Sequence, residues 1–158
     1  MMTSPDAPIT FAGGTLDRHR HVCAFFDSFA EELRIMGPFV KEGLAQGHKA
    51  FHIVDPALRT QYPRQLQTAG IDVAGAEARG QFEIRTWNEA YLREGHFDQD
   101  AMLALIEQVL NQDKPTYPLT RLVAHMEWSL EDRPGVNDLV EYETRLNYVL
   151  PRYKDPVI

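Results

Sequence analysis

Two pairs of residues hold the chemistry this sequence could do. His21 and Cys23 stand two apart in the apolar run HVCAFF, and His125 and Glu127 stand two apart in RLVAHMEW. On extended backbone that spacing puts both side chains of a pair on one face. If the two runs were neighbouring strands, four nitrogen, sulfur and oxygen groups could converge, and a tetrahedral zinc site asks for four. No close CxxC or HxxxH spacing supports a metal, however, and buried strands use these residues otherwise. A lone Cys packs as a small hydrophobe, and a His pairs with a carboxylate. The sequence therefore predicts no metal and no cofactor. Cys23 is a poor nucleophile, because reactive thiols sit in electropositive turns or at helix N-termini rather than inside an apolar strand. Ser28 lacks a GxSxG frame and has a capping role instead. No enzymatic activity is expected.

The elements that must position these groups read as alternating strands and helices. HVCAFF (21–26) is a short β-branched and aromatic run that stops at Asp27 and Ser28, the mark of a buried strand. Ser28 with Glu31 forms a capping box, and Phe29, Leu33, Met36, Val40 and Leu44 recur at helical spacing up to Gly47. Pro38 inside that pattern predicts a kink or two helices. KAFHIVD (49–55) is a second strand, followed by a helix that Asp55 and Pro56 open and Gly70 closes. QFEIRTW (81–87) is a third strand and Asp98–Leu110 a helix, with a connection over 88–97. RLVAHMEW (121–128) is a fourth strand, a polar turn follows at 131–135, and a helix spans Asn137 to Leu150. Val157 and Ile158 open a fifth strand, which the sequence reads as truncated.

This alternation predicts an α/β fold, a three-layer sandwich around a mostly parallel sheet of about five strands. In such folds ligands sit at the carboxyl ends of the strands, near the point where strand order reverses. That rule selects Phe26, Asp27, Ser28, Asp55, Trp87, Asn88, Glu127, Trp128 and Ser129 before any chemistry is weighed. Trp87, Trp128, Tyr91, Phe97, Phe26 and Met126 could line an apolar cavity anchored by His125, Glu127 and Asp27, although core packing is the plainer use for each ring. The connection 88–97, with Gly95, is the expected movable element.

Composition narrows the function. At 158 residues with 44% hydrophobic and 25% charged side chains, the chain is one foldable domain. One cysteine excludes an internal disulfide and favours a cytoplasmic home. A net charge of -7 disfavours direct binding to nucleic acid or anionic membrane, and no apolar run is long enough for a membrane span. The first strand-to-helix turn, FFDSFAEE, has no glycine or lysine and carries acids where a phosphate would need donors, so it is no phosphate-binding loop. Residues 1–15, punctuated by Pro5 and Pro8, read as a flexible arm, leaving 16–158 as a single domain.

The segments HVCAFFDSFAEELRIMGPFVKEGLAQGHKAFHIVD, HMEW and LVEYETRLNYVLPRYKDPVI, in that order, resemble the MEDS domain, a sensory domain of methylotroph and methanogen regulators. The resemblance implies a RecA/KaiC-like domain without the phosphate-binding loop. It implies a sensor of hydrocarbon derivatives joined to DNA-binding, histidine kinase or anti-sigma modules. It also aligns His21 and Cys23 with a family His and Cys, Glu127 and Trp128 with the family's fourth-strand end, and Glu141 or Glu143 with the following helix. The expected ligand-binding residues are thus His21, Cys23, Phe26, Asp27, Ser28, Trp87, His125, Glu127 and Trp128. The leading reading is a non-enzymatic sensory domain that binds a small organic ligand and signals to a protein output module, with a homodimer as one assembly. The alternatives are a degenerate nucleotide binder and an interaction domain without a ligand.

Overall fold

The computed structural model describes residues 4–158. Two short antiparallel strands, β1 (Ile9–Phe11) and β2 (Gly14–Leu16), come first. They fall largely within the expected arm over 1–15, of which residues 1–3 lie outside the described residues. Ile9 is buried, and Phe11 meets Phe39 edge-on at 5.7 Å, so the hairpin is anchored by burial on the following helix. Ala12 and Gly13 form its two-residue turn, both at positive φ (51° and 77°), as hairpin turns require. A left-handed alanine costs about 1–2 kcal/mol. Ala12→Asn, a residue that tolerates this conformation, should therefore raise stability by roughly 0.5–1 kcal/mol in chemical denaturation.

Helix α1 (Phe29–Ala45) is continuous through Pro38, so of the kink or two helices expected there, the two helices do not form. Ser28 caps it by accepting from the Glu31 amide at 3.2 Å, while the Glu31 carboxylate accepts from the Asp27 amide at 2.9 Å. Next come β3 (Lys49–Val54), α2 (Gln61–Thr68), α3 (Val73–Ala78), β4 (Phe82–Thr86), α4 (Gln99–Gln112), β5 (Thr120–Ala124) and α5 (Leu139–Val149). The single helix expected between Asp55 and Gly70 is a short 3-10 turn followed by α2, and α3 is additional.

The parallel sheet has the order β4-β3-β5. Ala50, Val54, Phe82, Ile84 and Val123 pack on the face that carries the hairpin, α1, α2 and α3. Phe51, Ile53 and Leu122 pack on the other, with α4 and α5. Helices therefore cover both faces of a parallel sheet. Beyond β5, Val157 bridges Leu122 on one side and His21 on the other, both in parallel. HVCAFF is thus not a strand: it makes one bridge, at His21, and continues as irregular backbone. The fourth strand stops at Ala124, and residues 127–130 form a 3-10 turn in place of its expected end. Among the described residues the parallel sheet has three strands, with two single bridges where the expected first and fifth strands would stand.

Candidate functional site

From β3 the chain crosses to β4 on one side, and from β4 it returns to β5 on the other side of β3. Strand order reverses between β3 and β5, so the crevice at their carboxyl ends is where this architecture places a site. Two histidines flank it on the face covered by α1 and α2. His52 lies in β3 and His125 just beyond β5, and both are buried. Tyr62 of α2 bridges them, its ring 5.6 Å from that of His52 and 5.3 Å from that of His125.

His125 Nε2 meets Glu32 Oε1, in the first turn of α1, at 2.5 Å. Burial pulls this imidazole's pKa down. The Glu32 hydrogen bond and charge, with the more distant charges of Glu127 and Asp55, outweigh burial and hold it above the ordinary value. His52 has no such partner, and burial, together with the charge of His125, pushes its pKa down to about 3, so the ring stays neutral. Its Nδ1 lies 2.9 Å from the Tyr62 hydroxyl. Burial keeps that hydroxyl protonated. If the hydroxyl donates to Nδ1, the ring proton sits on Nε2 and one buried group is left without a partner. The reverse assignment would also strand the hydroxyl proton, so the first is favoured. Both His52 Nε2 and His125 Nδ1 are buried without a hydrogen-bond partner among the described residues. The crevice thus holds one imidazole paired with a carboxylate and one neutral imidazole, each with an idle nitrogen.

The residues singled out in the sequence fare unevenly. His125 belongs to the cluster, and Trp87, itself buried, supports it by donating from Nε1 to the His125 carbonyl at 2.9 Å. Ser28 caps α1, and Phe26 packs against the α1-side core. Asp27, Glu127 and Cys23 are exposed. His21 does not approach His125. It bonds Asn147 at 3.0 Å and Glu143 at 3.3 Å on α5. Among the described residues no three potential ligands gather around a metal position, so the convergence of His21, Cys23, His125 and Glu127 fails.

Trp128 is fully buried on the opposite face, 4.9 Å from Tyr91 and 5.1 Å from Phe97, and Phe97 in turn meets Tyr142 at 5.3 Å. These rings pack on one another, the plainer of the two uses the sequence offered for them. The connection 88–97 is likewise packed rather than free, with Tyr91, Leu92 and Phe97 buried and the Phe97 amide bonded to the Pro134 carbonyl. An apolar groove of about 240 Å³ lies instead between the hairpin and α1, lined by Phe11, Ile35, Pro38 and Phe39.

Sequence reasoning missed Glu32, His52 and Tyr62. A signal existed: Glu32 stands three residues after Phe29 and four before Met36, on the inner stripe of α1, and His52 interrupts the apolar run AFHIV.

A parallel sheet covered by helices on both faces, with a buried polar cluster at its order-reversal crevice, defines an α/β domain. The family model for MEDS, the methanogen/methylotroph DcmR sensory domain, matches residues 20–156, nearly the whole chain. The chain belongs to the MEDS family, and a sensory or regulatory role follows from that membership. Neither the curated proteins nor the solved structures contain a match to it. No helix among the described residues is long and apolar enough to cross a membrane.

Proposed function

We propose that this domain is a non-enzymatic sensor that receives a small organic ligand at the crevice between β3 and β5 and passes the change to a protein output module. The observation that carries this reading is the His125 ring, buried at the carboxyl end of β5, held by Glu32 on one nitrogen and, among the described residues, by nothing on the other. A buried polar nitrogen without a partner costs about 1–3 kcal/mol, which a ligand with a polar oxygen at that position would return. Hydrocarbon derivatives such as short alcohols, aldehydes and carboxylates have that chemistry. The family's sensory description supports the role, and a RecA/KaiC-like ancestor without its phosphate loop would account for the crevice. A nucleotide fits less well, because Glu31 and Glu32 occupy the first turn of α1, where a phosphate would need positive charge. The reading places the domain in the cytoplasm beside a transcriptional, histidine kinase or anti-sigma partner, with a homodimer as the assembly to test.

The experiment is a chemical-shift titration of isotope-labelled protein with short alcohols, aldehydes, carboxylates and haloalkanes, in parallel with ATP, GTP, cyclic dinucleotides and NAD. Saturable shifts centred on Glu32, His52, Tyr62 and His125 with one of the small compounds are expected. Shifts with a nucleotide alone, or shifts confined to the groove lined by Phe11 and Phe39, would overturn the assignment.

A further inference from the structure

Residues 21–28 connect the sheet edge to α1 with few bonds of their own. Val22 donates to the Val157 carbonyl, and the next backbone-to-backbone bond, Glu32 to Ser28, already belongs to the helix. Between Val22 and Ser28, among the described residues, the main chain makes only the bond from the Asp27 amide to the Glu31 carboxylate. Side chains alternate along this stretch: Val22, Ala24 and Phe26 turn inward, while Cys23 and Phe25 face solvent, Phe25 being 92% exposed. The segment runs from the level of Leu122, where His21 joins the sheet through Val157, to the level of His125, where Glu32 anchors the first turn of α1.

Both ends are therefore fastened by the same chemistry. At the start, His21 is clamped to α5 by Glu143 and Asn147. At the end, Glu32 is clamped to His125. We propose that residues 21–32 form a strap over the crevice, buckled at each end by a histidine–carboxylate contact, and that loss of the imidazole protons opens it. The proposal rests on the crevice being the sensory site, since the strap would then regulate access to it.

The sign is the same at both buckles. The Glu143 hydrogen bond, helped by Asn147 and opposed by burial, raises the His21 pKa. His125 faces Glu32 on α1, Glu127 on the turn after β5, Asp55 after β3, neutral Tyr62 on α2 and neutral His52 on β3, and its pKa is raised as well. A group whose folded pKa lies above its unfolded value contributes its full stabilisation below about pH 6.5 and loses it as pH rises through the folded pKa. The strap should accordingly be tight in mild acid and looser above neutrality. Phe25 and Cys23 travel with it, so opening would change the apolar surface that the domain offers a partner.

The test is hydrogen exchange of the full chain from pH 5.5 to 9, corrected for intrinsic rates, with β3 and α4 peptides as internal references. Peptides covering 22–33 are expected to lose protection about tenfold or more across the range while the references hold. In E32Q/E143Q the same peptides should be weakly protected at every pH, with no step. A flat protection profile in the wild-type chain, or an unchanged step in the double variant, would overturn the proposal. Should the double variant fail to fold, direct NMR titration of His21 and His125 in the wild-type chain decides: both must titrate above an ordinary histidine. No ligand enters these measurements. A negative ligand screen with a clear pH step would therefore sink the sensory assignment and leave the strap, and the converse result would do the opposite.

Discussion

Replacing Trp128 by alanine is expected to lower the unfolding free energy by about 3–5 kcal/mol, the cost of emptying a fully buried aromatic site. The ring has no exposed surface and touches Tyr91 and Phe97 at centroid distances of 4.9 and 5.1 Å, so neighbours tied to α4, α5 and the 88–97 connection would have to collapse into the gap. Trp128→Phe should cost much less, roughly 1 kcal/mol, because the indole Nε1 it removes has no hydrogen-bond partner to lose. Chemical denaturation followed by Trp87 fluorescence measures both. The pair separates two views of this residue. A tryptophan that lines a ligand cavity would lose little stability as alanine and much ligand affinity, whereas one that fills the core loses stability first. Glu127→Gln, one residue away but exposed, should leave stability within about 0.5 kcal/mol of the parent.

That contrast also marks what could be read from the sequence. Strand and helix alternation was legible because KAFHIVD, QFEIRT and the inner stripe of α4 are long, periodic and locally consistent, and the carboxyl-end rule pointed to the ends of all the expected strands without choosing among them. HVCAFF misled because composition reports apolarity but not pairing: its single bridge at His21 depends on Val157, more than a hundred residues away. The hairpin was missed for the opposite reason. Ile9 and Leu16 are too few to announce a strand, and the hairpin's stability comes from Phe11 meeting Phe39 rather than from local propensity. Within the site, His125 could be chosen from its strand position, but its partner Glu32 lies 93 residues earlier, and only the packing of α1 across the crevice joins them. Of the aromatic residues that the sequence left between cavity lining and core packing, Tyr91, Phe97 and Trp128 take the second use, because a sequence gives ring count and not the space between rings. Tyr91, Phe97, Trp128 and Tyr142 pack at 4.9 to 6.2 Å and leave that space to one another.

Gly135→Ala should be the most damaging substitution at an exposed turn, costing about 3 kcal/mol. Gly135 has φ +87°, where an L-residue bears about 1–2 kcal/mol of strain, and a Cβ there would stand 2.1 Å from the Phe97 carbonyl oxygen. That oxygen belongs to main chain that cannot swing aside. The Phe97 amide bonds the Pro134 carbonyl at 3.0 Å, and displacing it would forfeit that bond, worth about 1 kcal/mol, and pull the Phe97 ring from Trp128. Gly95→Ala provides the control. It has a comparable φ of +79° but no atom within 4 Å of the added Cβ, so only the conformational strain of about 1–2 kcal/mol should appear. Denaturant unfolding of the two variants side by side measures the difference. The outcome bears on where the domain moves. If Gly135→Ala costs markedly more than Gly95→Ala, the 88–97 connection is welded to the 131–135 turn and to the aromatic core, and cannot serve as the lid its glycine and charge suggested. Motion is then left to residues 21–28, whose backbone is bonded to the rest of the fold at one end and to its own helix at the other. Equal costs would mean that the connection yields, and would return it to contention as the moving part.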